Sequence, residues 1–297
     1  MADGASLVNL GDLSKPATVL IEKISDAIGG IFKPWQIRRI AQAEGEAERF
    51  KAVAQIEISK LQRRALQRFI TEEAKKQCNM EAITAKALPG LQNSAEPQKM
   101  DDDWIANFFD KCRLISNDEM QILWAKVLAG EANSPGSYSK RTVNFLGSLD
   151  RTDALLFQSL CGFSWIIGSV TPLIFSVDAE IYNRQGINFN TLKHLDEIGL
   201  LSFENLTGYI RKRLPKKFGI LYCGEPMIID FPNEKDNNLD IGKVLLSKTG
   251  QELAPICGAK AIPGFYDYVF SHWKGRGLTV TSSHDISQPK QSNTGSA

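Results

Sequence analysis

Five cations fall within seven residues in Arg211-Lys212-Arg213-Leu214-Pro215-Lys216-Lys217. At that density lysines and arginines neutralise phosphates whatever the bases, because each one releases condensed counterions from a nucleic-acid backbone. The same run also suits a solvated loop whose lysines keep an edge strand from pairing with other chains. A second cationic series, Lys60, Arg64 and Arg68, steps by four residues and therefore shares one helix face. It fits phosphate contact, or a solvated face paired with Glu57, Glu72 and Glu73. Between Lys33 and Lys86 there are 12 Lys or Arg against 7 Asp or Glu, although the net charge of the whole chain is only +1. Local charge, not the total, therefore carries any case for a polyanionic partner.

Other reactive residue types are sparse. Asp101, Asp102 and Asp103 invite a metal or a nuclease centre, but consecutive carboxylates cannot all face one ion, and three acids opening a helix complement its dipole. His194 and His272 are far apart in sequence, and no serine or cysteine sits in a nucleophile turn. Cys78, Cys112, Cys161, Cys223 and Cys257 show no CxxC spacing and read as ordinary reduced thiols. Gly29-Gly30 lacks the Lys-Ser/Thr spacing of a phosphate loop. The chain is accordingly expected to use no metal and no cofactor and to be no enzyme, with a cryptic nuclease at the three aspartates as the exception to test.

The elements that must position the cations follow from periodicity. Leu192-Lys-His-Leu-Asp-Glu-Ile-Gly-Leu-Leu201 is amphipathic and stops at Gly199, and an apolar strand follows. Gly242-Lys-Val-Leu-Leu-Ser-Lys-Thr-Gly250-Gln-Glu-Leu253 is a strand entering a helix with Thr249 as its cap. Helix, strand, long wing and strand make a winged helix. Asp153 caps its first helix at Ala154–Leu160, and the apolar run from Phe163 is a buried helix or strand. The recognition helix runs from about Phe189 to Ile198 and exposes Asn190, Thr191, Lys193, His194 and Glu197; the wing carries Arg211 to Lys217.

Upstream, a stripe through Leu20, Ile21, Ile24, Ala27, Ile28, Ile31 and Phe32 predicts an amphipathic helix. It packs on the rest of the protein or a second copy; as the alternative, Ile24, Ile28, Ile31 and Phe32 lie on a membrane surface. After Pro34 no proline occurs until Pro89, and Ala43, Ala47, Phe50, Ala54, Ile58, Leu61, Ala65 and Phe69 follow an 11-residue repeat. Such a stripe predicts homo-oligomerisation through Phe50, Ile58, Leu61 and Phe69, or a hairpin within one chain. Ser116 to Glu119 reads as a capping box opening a helix to Ala129.

Pro34-Trp-Gln-Ile-Arg-Arg39, Asp102-Asp-Trp-Ile-Ala-Asn-Phe-Phe109, Glu119 to Glu131 and Pro135-Gly-Ser-Tyr-Ser-Lys-Arg-Thr142 carry a family resemblance. They resemble an uncharacterised bacterial family related to the Abi-alpha, or abortive-infection alpha, proteins, over about residues 20 to 275. The resemblance implies a bacterial cytoplasmic protein engaged in anti-phage defence and brings no catalytic residue with it. Glu131, Arg141 and Thr142 fall within its central motif, in what is expected to be a hydrogen-bonded turn.

The fold expected is mainly α: a flexible N-terminus at 1–18, a long helical oligomerisation module at 19–88, a linker at 89–99, a helical bundle at 100–149, a winged-helix-like α+β domain at 150–275 and a disordered tail at 276–297. With no secretion signal or spanning helix in the pattern, the location expected is the cytoplasm. Partners expected are a second copy, DNA or another nucleic acid, or a protein trigger.

Overall fold

The structure, a computed structural model, describes residues 13–28 and 60–282. It forms two compact units, Met1–Ser148 and Leu149–Ala297. Phe50, Ile58, Ile31 and Phe32 lie outside the described residues.

In the first unit the helices are α1 (Lys15–Ile28), α2 (Lys60–Ala87), α3 (Asp102–Cys112), α4 (Asp118–Asn133) and α5 (Lys140–Leu146). α4 packs along the C-terminal half of α2, and α3 lies against α1 and α5. Phe108 sits at the centre, stacked on Trp104 and edge-on to Trp124, each at 5.1 Å between ring centroids. Asp101 caps α3 by accepting from the Trp104 N–H at 2.7 Å. α4 is capped one residue later than the sequence pattern indicates, by Asn117 accepting from Met120 N at 3.1 Å; Asn and Ser cap equally well, so adjacent candidates are decided by register.

Of the four residues of the membrane-surface alternative, Ile24 and Ile28 are described. α1 starts at Lys15, with Pro16 in its first turn where a missing N–H costs nothing, and it buries Ala17, Leu20 and Ile24 inside the unit, Ile24 completely. Among the described residues no helix is long and apolar enough to cross a membrane. Pro89 and Pro97 open two short 3₁₀ turns, and Asn133 at the end of α4 donates to Gly90 O at 2.9 Å and accepts from Gln92 N at 2.8 Å.

The turn between α4 and α5 is built on a buried carboxylate. Glu131, 3 % exposed, accepts from Gly136 N at 2.6 Å and Tyr138 N at 2.9 Å. Trp104 Nε1 donates to Tyr138 O at 2.7 Å, and the Tyr138 ring lies over Gly130, where a Cβ would come within 2.6 Å of it. Glu131→Ala strands two N–H groups and leaves a void, so we expect the first unit to lose about 3 kcal/mol, read by denaturant unfolding.

The second unit overturns the mainly-α expectation: the protein is α+β, with helices predominating. After α6 (Arg151–Cys161) come β1 (Ser164–Ile166), β2 (Val170–Pro172), α7 (Glu180–Asn183), α8 (Phe189–Glu197) and β3 (Leu201–Phe203). β4 (Tyr209–Leu214), β5 (Lys217–Tyr222), β6 (Glu225–Asp230), β7 (Asn237–Gly242) and β8 (Val244–Leu246) follow, then α9 (Lys248–Leu253), α10 (Phe265–Gly275) and β9 (Thr279–Ser282). The order β2-β1-β5-β6-β9 makes a five-stranded antiparallel sheet, and β3-β8 and β4-β7 make two ribbons. β3 pairs with β8 as the winged pattern requires, Leu201 facing Leu246. What joins them is four strands, two of which enter the large sheet, and no simple wing. Residues 279–282, expected within a disordered tail, are the edge strand β9.

These strands escape a periodicity reading because they are short and broken by Gly219 and by charges, and because the β5–β6 turn is Cys223-Gly224, with Cys223 left-handed at φ 48° where Asn or Asp is usual. Gly199 does close α8, with φ 87°. Its own carbonyl accepts from Ser247 Oγ at 2.7 Å. Ser247, not Thr249, caps α9, accepting from Gly250 N at 3.1 Å, because Gly250 sits against the Leu200 carbonyl and fixes the start of that helix.

Candidate nucleic-acid interface

The cationic run lies on the β4–β7 ribbon and its tip. The ribbon is rooted at Gly242, whose φ is 84° and whose Cβ position lies 2.5 Å from the Ile174 carbonyl; only glycine permits that approach. Asp240 organises the root: Oδ1 accepts from Gly242 N at 2.9 Å, its backbone carbonyl accepts from Trp273 Nε1 at 3.1 Å, and Arg276 pairs with Oδ2. At the tip, the buried Asn237 side chain donates to Leu214 O at 3.2 Å and Asn233 O at 2.8 Å. Phe231 N donates to Lys216 O at 2.7 Å. The tip is thus a bonded structure that presents its side chains from a fixed backbone.

A bulge decides how they are presented. Arg211 faces Leu239 and Leu214 faces Asn237, so β4 advances three residues while β7 advances two. The extra residue puts Arg213 in the left-handed region at φ 61°, which costs a residue with a Cβ about 1 kcal/mol. Lys212 and Arg213 are exposed consecutively instead of alternating across the ribbon.

The five cations are not equivalent. Arg211 is half-buried, its guanidinium seated on Gly168 of the β1–β2 turn. Lys216 pairs with Glu234 at 2.6 Å, which holds its ammonium above the ordinary lysine value, and Lys217 stands 3.9 Å from Asp230. Lys212 and Arg213 have no ion pair among the described residues, and Lys235 of the neighbouring loop is exposed beside Glu234 and Asp236.

Residues 63–270 match a family model described as "Protein of unknown function (DUF2806)". The chain belongs to that family. No curated protein and no solved structure matches it. The DUF2806 match takes in all five ribbon cations and leaves out α1 and Lys60.

The remaining residues singled out from sequence fall elsewhere in this DUF2806 chain. Lys193, on α8, lies 3.5 Å from Asp196 and 3.8 Å from Glu197, so its charge is locally answered. His194 Nε2 contacts Asp153 at 2.8 Å; Asp153 holds α8 to α6 and does not cap α6, whose N-cap position is Asp150. Lys60, Arg64 and Arg68 are exposed on α2 in the other unit, Arg68 3.4 Å from Glu72. Leu61 and Phe69 are exposed on the same helix, at 67 % and 60 %. The three aspartates divide their work: Asp101 caps, Asp102 pairs with Lys23 at 2.5 Å and Asp103 with Lys140 at 3.7 Å. Among the described residues no group of three His, Cys, Asp or Glu is placed to hold a metal ion.

Asn237, Asp240 and Arg276 position the ribbon and were not anticipated. The only sequence signal for Asn237 and Asp240 is the polar run Asn233 to Asp240, which reads as loop, and Arg276 falls at the start of the expected tail. His272, the Gly242 N–H and Arg276 hold the Asp240 carboxyl below its ordinary range, His272 Nε2 standing 4.0 Å away. A depressed carboxyl stabilises the fold above its unfolded value and loses that contribution as pH falls through the folded one. Asp240→Asn is therefore expected to cost about 1 kcal/mol at neutral pH. That deficit should shrink as unfolding is followed to pH values below the ordinary carboxyl range, as the folded-state carboxyl takes up its proton.

Proposed function

We propose that this protein is a non-enzymatic, oligomeric nucleic-acid-binding protein whose second unit grips the phosphate backbone through the β4–β7 ribbon. The observation that carries the reading is the bulge at Arg213. A left-handed arginine is a strained choice where glycine would sit at no cost. Here it turns outward two cations that have no ion-pair partner among the described residues, from a tip that Asn237 keeps rigid. Strain of this kind is kept where the side chain is used. Phosphate contact from so few cations is sequence-independent and salt-sensitive.

Self-association is the second half of the proposal. The N-terminal half of α2 is exposed around its circumference, Leu61 and Phe69 included, and an isolated helical segment without a packing partner is marginal in water. A second copy aligned on the 11-residue repeat would cover it. The motif resemblance to Abi-alpha proteins is the reason to place this activity in bacterial anti-phage defence, with the bound nucleic acid or a protein as trigger.

Binding of a fluorescent DNA duplex across a salt series tests the interface. We expect wild-type affinity to fall steeply with salt, and Lys212→Gln with Arg213→Gln to lower the log–log slope by about 2, one for each phosphate that these two side chains neutralise. Lys216→Gln with Lys217→Gln should change it less, since both amines already face carboxylates. No binding at low salt would end the proposal. Arg213→Gly separates charge from fold: stability should stay within about 1 kcal/mol of wild type, because relief of strain offsets glycine's extra entropy, while the slope falls by about 1.

A further inference from the structure

The end of α6 and the segment after α9 hold two cysteines side by side. Cys161 is the last residue of α6 and is buried, 6 % exposed; Cys257 is half-buried in the connection between α9 and α10. Gln158, one turn before Cys161, donates from Nε2 to the Cys257 carbonyl at 2.7 Å and to the Gly258 carbonyl at 3.1 Å. Just beyond, Gly162 lies so close to Lys260 and Ile262 that a Cβ would meet the Lys260 carbonyl at 2.9 Å. Tyr222 then ties both strands of this contact, donating to Gly162 O at 2.8 Å and accepting from Ile262 N at 2.7 Å. Contacts from Gln158 and Gly162, on either side of Cys161, thus hold the end of α6 against residues 257–262, and Cys257 is the side chain whose hydrogen bonding does most to raise the Cys161 thiol.

We infer that Cys161 and Cys257 form a reversible intramolecular disulfide when the protein meets hydrogen peroxide, latching α6 to the α9–α10 connection. The half-exposed Cys257 reacts first: its sulfur attacks one peroxide oxygen, the S–O bond forms, the O–O bond breaks and water leaves. Cys161 then attacks the Cys257 sulfenic sulfur; the S–S bond forms, the S–O bond breaks, and the departing hydroxide takes the Cys161 proton as a second water. Both cysteines are oxidised by one electron each and the peroxide is reduced by two. The hydrogen bond to Cys257 and burial hold the Cys161 thiol well above its ordinary range, so it serves as the resolving thiol and the second step quickens as pH rises. Reduction by an excess of small thiol reverses the sequence.

The experiment is peptide mapping by mass spectrometry, without reductant, of full-length protein treated with hydrogen peroxide and quenched. The expected product is one peptide pair joined through Cys161 and Cys257, absent from Cys257→Ser and present in Cys223→Ser. The melting temperature of the oxidised wild type should rise by on the order of 10 °C, since the bridge closes a long loop, and return with dithiothreitol. Cys257→Ser changes a half-exposed position and should melt with the reduced wild type, so loss of the crosslink in it cannot be ascribed to unfolding. Accumulation of sulfinic acid at Cys257 without the linked pair, or crosslinks only between chains through Cys78 or Cys223, would overturn the inference.

Discussion

Aromatic rings with polar ends hold the second unit together. Trp165 stacks on Tyr222 at 5.0 Å and on Tyr266 at 5.4 Å and meets Trp273 edge-on at 6.1 Å. Phe163, Tyr182 and Phe265 extend the same cluster. Such rings bury large apolar areas, and their buried hydroxyls and indole N–H groups usually find an acceptor; the Trp165 N–H is an exception here. That demand wires the core to the periphery. Tyr222 fastens Gly162 to Ile262, Tyr182 donates to Leu173 O at 2.8 Å, and Trp273 donates to the Asp240 carbonyl. Burial pushes the Tyr222 hydroxyl up to about 12, so it remains a donor at any physiological pH.

Through Trp273 and Asp240 the core reaches the ribbon, and through Tyr222 it reaches the paired cysteines. The exposed functional candidates of this unit are therefore extensions of one packed cluster. A rigid root matters for a surface that would meet phosphate with Lys212 and Arg213, because a mobile tip would lose ordering entropy on every contact. The first unit follows the same logic with a carboxylate in place of a phenol: Glu131 satisfies two backbone N–H groups of a turn and lets Tyr138 close over Gly130.

Much of the helical part is legible in the residues themselves. Asp101, Asn117, Gly199 and Ser247 lie at or next to helix ends because capping chemistry is local and needs only a few neighbouring atoms. Register within one residue is not local, which is why Asn117 and Ser247 replace nearby hydroxyl residues as caps. The strands were hidden for a different reason. Besides each other, β5 and β6 pair with strands distant in sequence, and β5 has Gly219 and Leu221 on its exposed face where a clean alternation would have polar residues.

The sequence by itself determined the helix ends at Asp101, near Asn117 and at Gly199 and the presence of a dense cationic run, since these rest on residue type and short-range geometry. Tertiary structure decided which of those cations are answered by carboxylates, which strand bulges to turn Arg213 outward, that Ile24 is buried in the first unit, and that the end of α6 carrying Cys161 lies against the segment carrying Cys257. Each of these is a contact between residues distant in the chain, fixed only when a core forms, because its strength depends on burial and on neighbours that spacing along a sequence does not encode.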